Sequence, residues 1–320
     1  GGLWLGSYKN GAAYCSTADA RFKLIALGDV CSIVEDQRGN LWCGTNDCGI
    51  VAYNPATGSI RSFRSNETGL GNDIVISSTV GKDGALWFGS FNGGLTCYKD
   101  GRFKAYRASA NGKGLVNDNV WALKTEENGN IVIATLGGGL QLLNPQTGQF
   151  TTYTTHNSPL VSNFLSSIAF DLAGNILMGH AQEYSILDAK THKIRRLIRP
   201  KSHKFLSVSS INQIFVDSRG LLWNAGSSGL SVYDSQSDSL MTIPLFADRK
   251  AGTAYAIAED LSHTLWVTTD QGVSHLVADK DEGRWNFFVT NYTDVDGLQD
   301  RQFNSRAILL CKNGTIVVGG

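Results

Sequence analysis

Few residues of this chain are of a type and spacing that could do chemistry, and they are scattered. The nearest approach to a metal-binding or acid–base pair is His180 with Glu183, in "GHAQEYSIL". A catalytic metal centre needs about three protein ligands, and no second pair of this kind accompanies it. The other histidines, His156, His192, His203, His263 and His275, stand apart, and none lies beside a Ser or Cys in a nucleophile-elbow or protease pattern. "DVDGLQD", from Asp294, has the alternating carboxylates of a calcium loop but lacks the acidic ligand at position five and the glycine at position six, so it reads as a solvated connector. "NET" at Asn66, "NYT" at Asn291 and "NGT" at Asn313 match glycosylation sequons, the last within a turn. Of the six cysteines, Cys15, Cys43, Cys97 and Cys311 take slots filled elsewhere by apolar strand residues, and Cys31 takes a first-strand slot. Buried free thiols are the favoured reading. Cys48 alone occupies a loop slot, from which a bond to Cys43 across the hairpin stays open. These residues lead to no catalytic group, no metal and no cofactor.

A denser grouping is "EDQRGNLWCGT" at Glu35, and it recurs. "LWLGS" at Leu3, "GKDGALWFGS" at Gly81, "EENGNIVIAT" at Glu126, "DLAGNILMGH" at Asp171, "DSRGLLWNAG" at Asp217, "DLSHTLWVTT" at Asp260 and "CKNGTIVVGG" at Cys311 are versions of it. The tryptophan slot falls at Trp4, Trp42, Trp87, Val132, Leu177, Trp223, Trp266 and Val317, a period near 45 residues. Within a repeat, "D-x-x-G" and "NPATG" mark hairpin turns between short apolar strands. A fourth strand carries an apolar residue and another three places on, from Ile60 with Phe63 to Trp285 with Phe288, and this repeat position predicts Trp285 as core. Four-stranded units of this length without helical periodicity predict an all-β fold, a β-propeller of four-stranded antiparallel blades. Bulky residues such as Trp42 and Trp87 are then packing between blades. Full blades start near Val30, Ile74, Val120, Leu165, Ile211 and Tyr255, and the two chain ends supply a closing one, making seven over residues 1–320. One second strand is surplus, which suggests a window cut from a longer, tandem array.

The chain has 320 residues, 42% hydrophobic, and 28 basic against 28 acidic side chains. Such a balance lacks the one-signed field of a nucleic-acid or anionic-membrane binder. No apolar run approaches the roughly 20 residues of a membrane span, so direct membrane insertion is not expected.

The blade motifs "D-x-x-G-N-L-W-x-G-T" and "GG-L-x-x-Y-x-P-x-T-G-x-F-x-x-Y", with the connectors "GLGNDIV" at Gly69, "GLVNDNV" at Gly114 and "PLVSNFL" at Pro159, resemble the two-component regulator propeller family. The resemblance covers essentially the whole chain. It implies a periplasmic sensor in the ectodomain of a hybrid two-component regulator of gut-dwelling Gram-negative bacteria. The implied ligand is an oligosaccharide released from a polysaccharide, with signalling through a membrane-spanning histidine kinase outside this chain. "GLQDRQFNSRA", from Gly297, looks like the family's last blade before an immunoglobulin-like stalk. Adjacent propeller and stalk domains are therefore the implied partners, with a homodimer as a further one.

A blade motif that recurs builds blades, so selectivity must reside where blades differ. Blade five replaces its Gly-Gly doublet with "GHAQEYSIL", blade six puts Asn224 in an apolar slot, and blade seven has "LSHT" without the turn glycine. A slot at the start of each first strand holds Cys31, Ile76, Trp121, Ser166, Asn212, Ala256 and Arg306, with Tyr255 one place earlier than Ala256. Trp121 and Tyr255 would offer aromatic surface, and Arg306, Arg301 and Asn304 hydrogen bonds, to a sugar. Phe91, Asn92, His180 and Glu183 of the second hairpins complete the expected ligand-binding set. Two other readings stand beside this one: a metal-dependent lyase or hydrolase of the streptogramin-degrading propeller type, for which His180 and Glu183 would be the start of a site, and a protein-interaction scaffold.

Overall fold

In the computed structural model each repeat is one four-stranded sheet, and the described residues are almost all strand and turn, with a short α-helix at Ser65–Thr68. Residues 2–7, 11–16, 24–109, 114–181, 183–196, 210–246, 252–293, 296, 298 and 303–320 are described, the first two segments and Arg196 by backbone alone. Two strands come first, β1 (Gly2–Ser7) and β2 (Gly11–Ser16). Blade two is β3 (Val30–Glu35), β4 (Leu41–Thr45), β5 (Ile50–Tyr53) and β6 (Ile60–Phe63); blade three is β7 (Val75–Val80), β8 (Leu86–Ser90), β9 (Gly94–Lys99) and β10 (Arg102–Tyr106). Blade four is β11 (Val120–Thr125), β12 (Ile131–Thr135), β13 (Leu140–Leu143) and β14 (Phe150–Tyr153); blade five is β15 (Ser167–Phe170), β16 (Ile176–Gly179), β17 (Tyr184–Leu187) and β18 (Ile194–Arg196). Blade six is β19 (Ile211–Val216), β20 (Leu222–Gly226), β21 (Gly229–Asp234) and β22 (Ser239–Ile243); blade seven is β23 (Ala254–Glu259), β24 (Leu265–Thr269), β25 (Gly272–Asp281) and β26 (Arg284–Tyr292). The chain then adds β27 (Ile308–Leu310) and β28 (Ile316–Val318). Among the described residues no helix is long and apolar enough to cross a membrane.

Residues 31–197 form one compact unit with blades two to five, and residues 1–30 with 198–320 form another with blades one, six and seven. The closing blade one is drawn from both chain ends, in the order β2-β1-β28-β27. It differs from the expected antiparallel sheet at its join, where β1 pairs parallel with β28, Leu3 beside Ile316 and Trp4 beside Val317. Both strands carry the sequence of a second strand, so side by side they run the same way.

The recurring motif now has a physical account. In "EDQRGNLWCGT", Asp36 accepts the backbone N–H groups of Arg38 (2.8 Å) and Asn40 (2.9 Å) on Oδ1, and the Trp42 indole N–H (3.0 Å) on Oδ2. Asp217 holds Trp223 at 3.0 Å and Asp260 holds Trp266 at 2.9 Å in the same way. One carboxylate thus shapes the turn and satisfies the donor of the tryptophan six residues on, a group that would cost free energy if buried unpaired. Burial would raise the Asp36 and Asp260 pKa, but these hydrogen bonds outweigh it and hold both carboxyls below their usual range. Blade three has Gly81 at the aspartate position, and there the buried Trp87 Nε1 has no hydrogen-bond partner. Gly39 closes the turn at φ 81°, and His263 takes the same left-handed conformation at φ 60° in the glycine-less "LSHT".

The tryptophans pack between neighbouring blades. Trp42 stacks on Phe63 (5.2 Å between ring centroids) and meets Tyr98 (4.6 Å) and Phe88 (6.4 Å) of blade three. Trp223, fully buried, meets Phe287 of blade seven edge-on at 5.9 Å. Trp285, expected in the core from its repeat position, packs against it, whereas Ile60 and Phe288 of the fourth strands are 51% and 63% exposed. Residues three apart on a strand point to opposite faces, so in blade seven it is Trp285, Phe287 and Val289 that turn to the core.

The Trp285 indole N–H reaches Asp234 Oδ2 at 3.1 Å, and Lys280 Nζ lies 3.6 Å from the same oxygen. Burial would raise the Asp234 pKa, but hydrogen bonds from Trp285, Gln236 and Ser237 bring it down to about 2 from 3.8. A depressed carboxylate stabilises the fold fully above its unfolded pKa, and the gain is lost as pH falls through the folded one. The carboxylate therefore contributes roughly 2 kcal/mol above pH 4 that disappears towards pH 2. Thermal melts of wild type and Asp234→Asn should differ most above pH 4 and converge near pH 2; a constant difference would contradict the assignment.

Cys31, Cys43, Cys48, Cys97 and Cys311 form no disulfide, so the hairpin bond between Cys43 and Cys48 is not made. Cys43 and Cys311 are buried, whereas Cys31, Cys48 and Cys97 are half-buried. Burial, reinforced by Asp83, pushes the Cys97 thiol up to about 11. Since the thiolate is the reactive form, an aromatic disulfide reagent at pH 8 should label the native protein far more slowly than the denatured one. Native labelling of Cys43, Cys97 and Cys311 at the denatured rate would contradict this packing.

Candidate functional site

Each connector rises from a fourth strand and ends at the next first strand. Leu70, Leu115 and Leu160 anchor three of them in the core, and Asn72 and Asn117 accept the N–H two residues on (2.9 and 2.8 Å), bending the chain. The carbonyls of Asp73, Asp118 and Asn163 accept the N–H of Gly49 (2.9 Å), Gly94 (2.9 Å) and Gly139 (3.0 Å), tying each connector to the preceding blade's second hairpin. On that side of their blades lie the described members of the expected ligand-binding set.

The variable slot is a β-bulge. Register shifts fall between Val75 and Ser77, Val120 and Ala122, Ile211 and Gln213, and Ala254 and Ala256, which leaves Ile76, Trp121, Asn212 and Tyr255 as the extra residues. A bulged residue is released from the ladder and its side chain is re-aimed, so its identity is free to vary while the sheet stays intact. The slot in blade seven therefore holds Tyr255 itself, not Ala256. In the closing blade Ala307 accepts the Gly319 N–H, which places Arg306 in the equivalent slot, at φ 68°.

The remaining expected residues are placed as follows. In residues 31–197, Trp121 is half-buried, Phe91 is 39% exposed, and Asn92, at φ 52°, donates its backbone N–H to Asn119 Oδ1 at 3.0 Å. His180 is 2% exposed; its Nε2 lies 2.9 Å from Ser185 Oγ and its backbone N–H donates to the Glu183 carbonyl at 2.9 Å. His180 is thus an internal strut of its hairpin, and half-buried Glu183 is the member nearer solvent. In the other unit Tyr255 and Arg306 are half-buried, and burial followed by Asp270 raises the Tyr255 pKa. The Asn304 side-chain amide donates to Asp29 Oδ1 and to the Val30 carbonyl (2.5 and 2.9 Å), stitching the chain to the start of β3. Arg301 lies outside the described residues.

A residue outside the expected set is Phe164, 63% exposed at the connector position held by Ile74 and Asn119 elsewhere. Its backbone bridges to Leu136, and its ring edge is 3.7 Å from where a side chain on Gly137 would begin. The departure of "NFL" from "DIV" and "DNV" was the available signal.

One cluster has the composition of a hydrolytic triad. Ser218 Oγ lies 2.6 Å from Glu259 Oε1 and 2.9 Å from His263 Nδ1, and that nitrogen is 3.4 Å from Glu259 Oε1. In a proton relay one ring nitrogen faces the hydroxyl and the other the carboxylate. Here a single nitrogen faces both, and the Ser218 backbone N–H also donates to Glu259 Oε2 at 2.8 Å, so the cluster ties the first hairpins of blades six and seven together.

Comparison with known proteins agrees with this architecture. The family model described as two component regulator propeller matches residues 25–47, the segment holding "EDQRGNLWCGT". No curated protein sequence matches the chain. Among solved structures, the extracellular domain of the hybrid two component system BT3049 from B. thetaiotaomicron superposes with TM-score 0.74 at 20% identity, over 99% of this chain and 48% of that one. The corresponding domain of BT4673 from the same organism gives 0.61 at 21%, over 99% and 42%. Virginiamycin B lyase from Staphylococcus aureus gives 0.68 at 15%, over 88% of each chain. The chain thus spans about half the length of the two-component chains that it matches. Residues 25–47 are a two component regulator propeller repeat, and the chain that carries them has the β-propeller fold found in extracellular domains of hybrid two component systems.

Proposed function

We propose that this chain is a non-catalytic, periplasmic sensor domain within a longer hybrid two-component regulator. It binds an oligosaccharide on the connector side of its blades and passes the signal to a kinase elsewhere in the protein. The observation that carries this reading is the set of bulged first-strand residues, where the ladder is interrupted and the side chain is free to vary. Ile76 apart, they are Trp121 in residues 31–197 and Asn212 and Tyr255 in the other unit, where Arg306 takes the equivalent position just before β27. Side chains of this kind suit a polyhydroxylated ligand, with aromatic surface for ring C–H groups and amide or guanidinium donors for hydroxyls. Phe91 and Phe164 add exposed aromatic surface near Trp121's unit of the chain. Binding would act by favouring one of two receptor states, for which differential affinity between them is sufficient.

Calorimetric titration with a panel of oligosaccharides and their monosaccharides tests the reading. An oligosaccharide should bind, and more tightly than its monomer, because contacts spread over several blades are beyond the reach of one ring. Equal affinity for the two, or no binding across the panel, would overturn it. The lyase likeness covers 88% of each chain and supports a second reading; turnover of a panel member, seen as a new product by mass spectrometry, would favour that reading over sensing.

A further inference from the structure

We infer that residues 31–197 carry a second ligand groove, for a neutral polyhydroxylated compound, between the first hairpin of blade two and the first and third hairpins of blade three. It lies at the other ends of the strands from the connector side, and its existence does not depend on the proposed sensing site. The groove encloses about 430 Å³, within the size range of small-ligand sites. Its floor is Leu86 with the edges of Trp42 and Tyr98, whose ring faces are taken up by one another and by Phe63 and Phe103.

The rim decides the ligand class. Asp36 is fully engaged by its own turn and by Trp42, as described above. Asp83 accepts from Ala85 N (3.1 Å) and from Lys99 Nζ (2.6 Å), which leaves two of the ammonium's three donors pointing elsewhere. Arg38 on one wall and Asp100 on the other are exposed and belong to the same groove. The rim therefore carries donors and acceptors together, three carboxylates and two cations. A phosphate or carboxylate would meet Asp83 and Asp100, and a metal ion would meet Arg38 and Lys99; each is opposed by like charge. A hydroxyl both donates and accepts, so a polyol uses both signs of the rim at once, while its C–H groups lie on the apolar floor.

The Trp42 indole N–H signal in a two-dimensional NMR spectrum reports on this groove, and that of Trp121 reports on the connector side. Neutral di- to tetrasaccharides at millimolar concentration serve as probes, with inorganic phosphate and calcium as the charged controls. A neutral saccharide should shift the Trp42 signal, and Arg38→Ala and Asp100→Ala should each weaken that titration at least about ten-fold in protein that stays folded. Because the two indoles are read separately, a moving Trp121 signal with a static Trp42 signal overturns the groove and leaves the sensing site standing. Unchanged affinity in both folded variants, or a stronger response to phosphate or calcium than to every saccharide, also overturns it.

Discussion

Asp217→Ala should destabilise the protein by roughly 3–5 kcal/mol, the range for breaking a buried charged network from one side. Asp217 is 1% exposed. Its Oδ1 accepts the backbone N–H groups of Arg219 (3.0 Å) and Leu221 (2.9 Å), and its Oδ2 accepts from the Trp223 indole (3.0 Å) and the Arg219 guanidinium (2.7 Å). Alanine would strand a fully buried indole N–H and a partly buried guanidinium together, and the first hairpin would lose its turn. The Trp87 site shows that one unpaired indole is tolerated in this fold; the expected cost at Asp217 comes from losing the turn, the indole and the cation at once. Urea unfolding of wild type and variant gives the difference directly, and a loss under about 1 kcal/mol would mean that the aspartate is turn punctuation only.

Gly94→Ala is the second large effect. Gly94 sits at φ 70°, its N–H donates to the Asp118 carbonyl at 2.9 Å, and a Cβ there would collide with the Tyr106 carbonyl oxygen and press on Asp118 Oδ1 (3.1 Å) and Leu115 Cδ2 (3.2 Å). Left-handed strain and overpacking against backbone each cost about 1–3 kcal/mol, so a total of roughly 2–5 kcal/mol is expected. Gly101→Ala is the matched control: φ is 78° but nothing lies within 4 Å of its Cβ position, and only the conformational cost of about 1–2 kcal/mol applies. Equal losses in the two variants would show that the close approach at Gly94 carries no weight. The same contact recurs at Gly49, Gly139 and Gly272, which explains why a glycine stands where these third strands begin.

Blade number, blade boundaries and turns were legible because each rests on several copies: the Asp, Gly and Trp of "DQRGNLW" recur at fixed spacing, and repetition averages out local drift. What was not legible depends on single residues or on pairing. The slot in blade seven was read one place late, at Ala256, because a bulge inserts a residue that linear spacing cannot reveal. The parallel join of β1 to β28 follows from which strands meet across the chain ends. At the candidate site, Trp121 stood out as a lone aromatic in a variable column, whereas Phe164 lay in a connector that had been treated as constant. His180 had the chemistry of a ligand-binding group, but its partner is Ser185, five residues along and across the hairpin.

The central claim is that residues recurring from blade to blade build the fold and that the bulged residues, which do not recur, meet the ligand. Trp121→Ala tests it most directly, measured in one preparation by thermal melting and by calorimetry with the tightest oligosaccharide of the panel. Trp121 is half-buried in a bulge and outside the inter-blade tryptophan slot, so the melting temperature should stay within about 2 °C of wild type while affinity falls about ten-fold or more. A variant that melts far below wild type, or one that folds normally and binds unchanged, would contradict the account.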